Sequence, residues 1–142
     1  MSKFWNKELS NIQGKIGDDC VIHSFVWIGK DVIIGNRVKI QAFAFIPKGV
    51  EIGDDCFIGP HVCFTNDKHP PSNGMEWLNT IVKRKAVICA NATILPGNII
   101  GENAMVGAGS VVTSDIPDNE VWCGNPARFL KQNEVSKHTT TI

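Results

Sequence analysis

The sequence predicts an all-β fold, a solenoid of short stacked coils with one inserted loop and a short C-terminal cap. The first observation behind this is a six-residue rhythm of large apolar residues. It runs through Ile16, Ile22, Ile28, Ile34, Ile40, Ile46, Ile52, Ile58 and Phe64, and resumes at Ile88, Ile94, Ile100, Val106 and Val112. The second is a mostly small or β-branched residue four places later, as at Cys20, Val26, Val32, Val38, Ala44, Val50, Cys56, Val62, Ala92, Ala104 and Ser110. A six-residue unit cannot bury its own side chain and must stack on its neighbours. An amphipathic helix needs apolar spacings of three and four, so this period excludes one.

Residues 1 to about 11 form a polar leader carrying Phe4 and Trp5, expected to cover the end of the first coil. Regular coils are expected from about 12 to 65. Trp27, Phe43 and Phe45 are too large for an outward polar face. They suit either a contact between subunits or the wall of a sugar or nucleotide pocket. After Phe64 the rhythm breaks. The stretch 66–81 holds Pro70-Pro71, Asn73-Gly74 and Trp77, and reads as a loop on one face of the solenoid. Coils resume over about 82–115, with small residues at Ala92 and at Gly107-Ala108-Gly109-Ser110 that keep the coil edge low. A short cap follows over 116–142, with a helix expected after Pro126, since proline suits a first helical position. The polar, threonine-rich tail from Gln132 is expected to be mobile.

The chain suits one domain of about five coils, a thin column that leaves apolar side faces and favours self-association. Fourteen basic and fourteen acidic residues cancel, so no broad attraction to nucleic acid or an anionic membrane is expected. No apolar run is long enough to span a bilayer, and the N-terminus lacks a signal-peptide core. Cys20 and Cys56 fall on the small inward position and read as core fillers; five cysteines without paired spacing fit a reduced, cytoplasmic protein.

The repeat, together with Ile94-Leu95-Pro96-Gly97, Gly107-Ala108-Gly109-Ser110-Val111-Val112 and Gly124-Asn125-Pro126-Ala127-Arg128, resembles the hexapeptide-repeat acyltransferases. That resemblance implies a left-handed parallel β-helix, a homotrimer with sites between subunits, and acetyl-CoA as co-substrate. It implies that Ala90, Gly107, Ala108, Gly109 and Ser110 line the pantetheine arm, with Asn125 and Arg128 toward its phosphate end. The loop motif Phe64-Thr65-Asn66-Asp67, followed by Pro70-Pro71, Trp77 and Thr80, resembles the branch that N-acetylates nucleotide-linked amino sugars. The acceptor implied is a UDP- or dTDP-linked deoxyamino sugar, the 3-amino form favoured, with Trp77, Thr80 and Arg84 as substrate contacts. The chain departs from some members in having His69, and prolines where others carry arginine.

The chemistry asks for an amine and a thioester carbonyl held together, a donor for the oxyanion and a place for the amine proton. Asn66 can orient the amine, and Asp67 can take a proton or shape the loop. His61 and His69 are the histidines nearest the motif; transfer of the proton to the departing thiolate needs neither. A zinc-dependent β-helix would need three convergent ligands, and His23, His61 and His69 lack that family's spacing, so no metal is expected. Two further readings remain at this level: acetyl transfer to a small non-nucleotide acceptor such as serine, a simple sugar or a xenobiotic, and a non-catalytic trimeric scaffold.

Overall fold

The computed structural model describes residues 1–134. The chain winds as a parallel β-helix with three sheets. The first holds Lys3–Phe4, Val21–Ile22, Lys39–Ile40, Phe57–Ile58, Val87–Ile88, Met105–Val106 and Glu120–Gly124, closed by Ala127–Gln132. The second holds Asn11–Ile12, Trp27–Ile28, Phe45–Ile46, Cys63–Phe64, Thr93–Ile94 and Val111–Val112. The third holds Lys15–Ile16, Ile33–Ile34, Val50–Ile52, Thr80–Val82 and Ile99–Ile100. Successive coils are in register, as Val21 opposite Lys39 and Lys39 opposite Phe57 illustrate.

The hexad explains this winding. A two-residue strand points one side chain out and the next in, so each hexad isoleucine enters the core while its predecessor faces out. The residue four places on turns inward at the corner, which fills the core with Val26, Val32, Val38, Ala44 and Ala92 among others. Cys20 and Cys56 are buried fillers in this column, their thiols donating to the carbonyls of Gly35 and Lys83. Burial pushes the Cys56 thiol up to about 11, which leaves it an unreactive thiol at neutral pH. All five cysteines are free.

Most corners turn through a left-handed residue. Between the third and first sheets these are Asp19, Arg37, Asp55, Lys85, Asn103 and Asn119, with φ between 56° and 62°. Their backbone N–H groups donate to the coil below, as Arg37 does to the Asp18 carbonyl (2.8 Å) and Asp55 to that of Asn36 (2.9 Å). The Arg37 guanidinium also meets Asp55 at 2.8 Å, joining adjacent coils. Glycine follows the isoleucine where coils nearly touch: a Cβ on Gly59 would lie 2.7 Å from the Ala90 nitrogen.

Three expectations change here. The leader adds a strand and a 3₁₀ turn (Lys7–Leu9), because Lys3–Phe4 pairs with Val21–Ile22. The column is therefore longer than five coils, with strands of the first sheet in seven successive layers. The inward phase resumes at Val82, one hexad before Ile88, and that residue is 1% exposed. The C-terminal cap is an antiparallel hairpin, Glu120–Gly124 with Ala127–Gln132, and not a helix. Pro126 fits a tight turn as well as a helix start, and the returning strand pairs the open edge of the last parallel strand. The tail expected to be mobile lies, beyond Glu134, outside the described residues. Among the described residues no helix is long and apolar enough to cross a membrane.

Candidate active site

The loop leaves the corner between the second and third sheets and is fastened at both ends. Thr65 donates through its N–H (3.0 Å) and its hydroxyl (2.9 Å) to the Ile94 carbonyl. The Asn66 side-chain amide donates to the Lys48 carbonyl one coil below (2.9 Å), and the Asn66 backbone carbonyl accepts from Leu78 N–H (2.8 Å). Thr80 is fully buried, its hydroxyl accepting from Gly97 N–H (3.2 Å), so it re-anchors the chain to the coil.

Asp67 organises the loop from within. Its carboxylate accepts from Ser72 N–H (2.8 Å) and His69 N–H (3.3 Å), and its backbone bridges antiparallel to Trp77. The Ser72 N–H foremost, then the Ser72 hydroxyl, His69 N–H and Trp77 side chain, hold this carboxyl below its ordinary range. A depressed carboxylate is a poor proton acceptor, so Asp67 shapes the loop. Its contribution is complete above the ordinary aspartate range and disappears as pH falls through the lowered value. A variant retaining Trp77 as its sole tryptophan should show a fluorescence transition on acidification, and Asp67→Asn should abolish it. A transition that persists in Asp67→Asn would assign it to another group.

His69 Nδ1 lies 2.9 Å from a Glu76 carboxylate oxygen. That contact favours the tautomer with hydrogen on Nδ1, leaving the Nε2 lone pair available. Glu76 escaped the sequence reading, since a seven-residue separation inside an irregular loop carries no periodic signal. Between the loop and the same corner lies a cavity of about 490 Å³, lined by Thr65, Asp67, His69, Leu95, Pro96 and Thr113 among others.

The opposite edge of the second sheet, where the chain turns from the first sheet, carries another column. Its left-handed residues are Phe25, Phe43, His61, Asn91 and Gly109. His61 stacks on Phe43 with centroids 4.8 Å apart. Above it the side chains shrink, and a Cβ on Gly109 would meet nothing within 4 Å. Ala90 accepts from Gly109 N–H (2.9 Å), and the Ser110 hydroxyl accepts from Gly124 N–H (3.1 Å), which brings the hairpin turn with Asn125 to this ledge. Arg128 follows in the hairpin and donates to the Ala127 carbonyl (3.0 Å). Arg84 occupies the third corner, paired with Glu102 at 3.1 Å.

The expected residues thus fall into separate groups within one chain. Asn66, Asp67, His69, Trp77 and Thr80 belong to the loop corner. His61, Ala90, Gly107, Ala108, Gly109, Ser110, Asn125 and Arg128 belong to the ledge, and Arg84 to neither. Among the described residues no cluster of three or more His, Cys, Asp or Glu side chains is arranged to hold a metal ion.

A family model for the bacterial transferase hexapeptide (six repeats) matches residues 31–66, and one for the hexapeptide repeat of succinyl-transferase matches residues 85–114. A dTDP-3-amino-3,6-dideoxy-alpha-D-galactopyranose 3-N-acetyltransferase of Aneurinibacillus thermoaerophilus is 68% identical over 50 residues, 35% of this chain and 26% of that protein. A galactoside O-acetyltransferase of Lactococcus lactis is 31% identical over 135 residues, 87% of this chain and 65% of that protein. The chain therefore spans less than two thirds of the length of these relatives. PerB of Caulobacter crescentus, crystallised with CoA and GDP-perosamine, superimposes with a TM-score of 0.75 at 25% identity, over 86% of this chain and 54% of that one.

Proposed function

This chain belongs to the hexapeptide-repeat proteins, and from that premise we propose that it transfers acetyl from acetyl-CoA to an amino group of a nucleotide-linked deoxyamino sugar. The observation that carries the reading is the pairing of a polar loop, bearing a carboxylate-oriented His69, with a low ledge at the other edge of the same sheet. The 3-N-acetyltransferase relative supports an amine acceptor on a dTDP-sugar and favours the 3-amino position. PerB, held with CoA and GDP-perosamine, supports the same pairing of donor and acceptor.

In this reaction the pantetheine arm lies along Ala90 and Gly107 to Ser110, where missing side chains let it approach backbone groups. Arg128, exposed beside that ledge, meets a phosphate, for which a guanidinium is well shaped. The sugar amine enters from the loop. As nitrogen attacks the thioester carbonyl, His69 Nε2 accepts its proton and a corner N–H stabilises the oxyanion. The tetrahedral intermediate then expels the CoA thiolate. Asn66 and Asp67 keep the loop in the shape that presents His69.

The separation of loop and ledge supports a homotrimer in which one copy's loop closes over the next copy's ledge. Closed cyclic symmetry then completes every site. Acetyl-CoA as co-substrate supports a reaction in the cytoplasm. A second reading, O-acetylation of a simple sugar, is favoured by the galactoside O-acetyltransferase relative. The test is CoA release from acetyl-CoA with UDP- and dTDP-amino sugars, their free sugars and a galactoside. Turnover confined to a nucleotide amino sugar supports the proposal, and turnover confined to the galactoside replaces it with the second reading.

A further inference from the structure

We propose that the aromatic cavity at the N-terminal half of the ledge corner seats the pyrimidine base of the acceptor nucleotide, an inference that rests on the nucleotide-sugar reading above. The cavity measures about 490 Å³ and is lined by Leu9, Ser10, Asn11, Phe25, Trp27 and Phe43, with Glu8 at its edge.

The corner itself is unusual. Left-handed backbone costs roughly 1–2 kcal/mol for a residue with a Cβ and suits Asn, Asp or Gly best. The corner between the third and first sheets follows that preference in four of six layers, with Asp19, Asp55, Asn103 and Asn119. Here Phe25 (φ 61°) and Phe43 (φ 66°) occupy it instead. Their rings stack with centroids 5.0 Å apart and planes 6° apart, yet the side chains are 47% and 48% exposed. Bulky rings held in a strained conformation and left in water point to a ligand that covers them.

The corner is divided along its length. Its C-terminal half, Asn91 and Gly109, is shaved down and suits a thin arm. Its N-terminal half presents flat apolar surface, as a nucleobase requires. His61, stacked on Phe43, lies between the two halves. Phe25 and Phe43 already touch, so no base enters between them. The outer face of Phe25 meets no other ring among the described residues and looks into the cavity beside Trp27 and Leu9. The polar lining fits one edge of a uracil or thymine. The Asn11 amide can donate to a base carbonyl and accept from the imide N–H. Its present partners, the Ile28 carbonyl at 3.5 Å and Gln13 at 3.2 Å, are weak enough to exchange.

The test is calorimetric titration of the full chain with UDP and with dTDP, for wild type, Phe25→Leu and Trp27→Leu. Light scattering of each protein and acetyl-CoA binding are measured alongside. Loss of one stacking ring should raise the nucleotide Kd roughly tenfold in each variant, with oligomer mass and acetyl-CoA Kd unmoved. Wild-type nucleotide binding that both variants retain overturns the base seat and leaves the acetyl-transfer reading standing. A fall in oligomer mass in the variants overturns it in favour of a contact between copies. Failure of the wild type to bind either nucleoside diphosphate overturns both this inference and the nucleotide-sugar acceptor.

Discussion

The His69→Ala protein is expected to lose about 100-fold or more in kcat, the range a positioned general base supplies, while acetyl-CoA binding changes little. His69 belongs to the loop corner, whereas the residues proposed for the donor line the ledge at the other edge of the sheet. Glu76→Gln should show a smaller loss. An amide at the same place, 2.9 Å from Nδ1, still offers an oxygen but no longer stabilises the imidazolium formed when Nε2 takes the amine's proton. His61→Ala provides the contrast, since His61 stands on Phe43 in the ledge column without a carboxylate orienting it among the described contacts. Steady-state kinetics at saturating acceptor measure all three. If His69→Ala retains wild-type kcat, the proton leaves with the thiolate and the loop histidine only binds.

Phe64→Ala should be the most destabilising single change, at about 3–5 kcal/mol for a fully buried aromatic residue. Phe64 is 0% exposed and the largest fully buried side chain. It aligns with Ile94 in the next layer and ends the last strand before the loop departs. Its removal opens a void beneath the point where Thr65 and Asn66 fasten the loop. Thermal unfolding at fixed protein concentration should show Tm lower by roughly 10 °C. Activity at low temperature should fall as well, because the platform under His69 loosens. A Tm within a degree or two of wild type would mean that neighbouring isoleucines close the void.

The core was readable in the sequence because each inward position recurs at one period and each burial site repeats in every layer. Ile22, Ile40, Ile58, Ile88 and Val106 are all buried where the hexad puts them. The loop was readable because Pro70-Pro71 and Asn73-Gly74 cannot continue a coil. What escaped lacked the unbroken apolar signature of the hexad. Phe4 lies two hexads before Ile16, but the polar Ser10 between them hides the phase. Pro126 serves a turn and a helix start alike, and only the open strand edge decides between them. Val82 keeps the phase, but its partner Thr80 is polar, and its burial depends on the hydrogen bond from Gly97. Glu76 finds His69 only after the Asp67–Trp77 bridge folds the loop back on itself. Division of the site between two corners follows from the three-sided winding and cannot be seen in a linear motif.

The hairpin that ends the column has a consequence for assembly. A stack of parallel strands is a template that presents the same hydrogen-bonding edge after every layer, so in principle it can elongate by recruiting further strands. Ala127–Gln132 runs the opposite way and occupies the last such edge of the first sheet. At the upper end of the second sheet Val111–Val112 offers only a two-residue edge, and in the third sheet Ile116 bridges Ile100. The reversed strand therefore works as a terminator of the parallel template in the first sheet, where a further parallel strand would otherwise add.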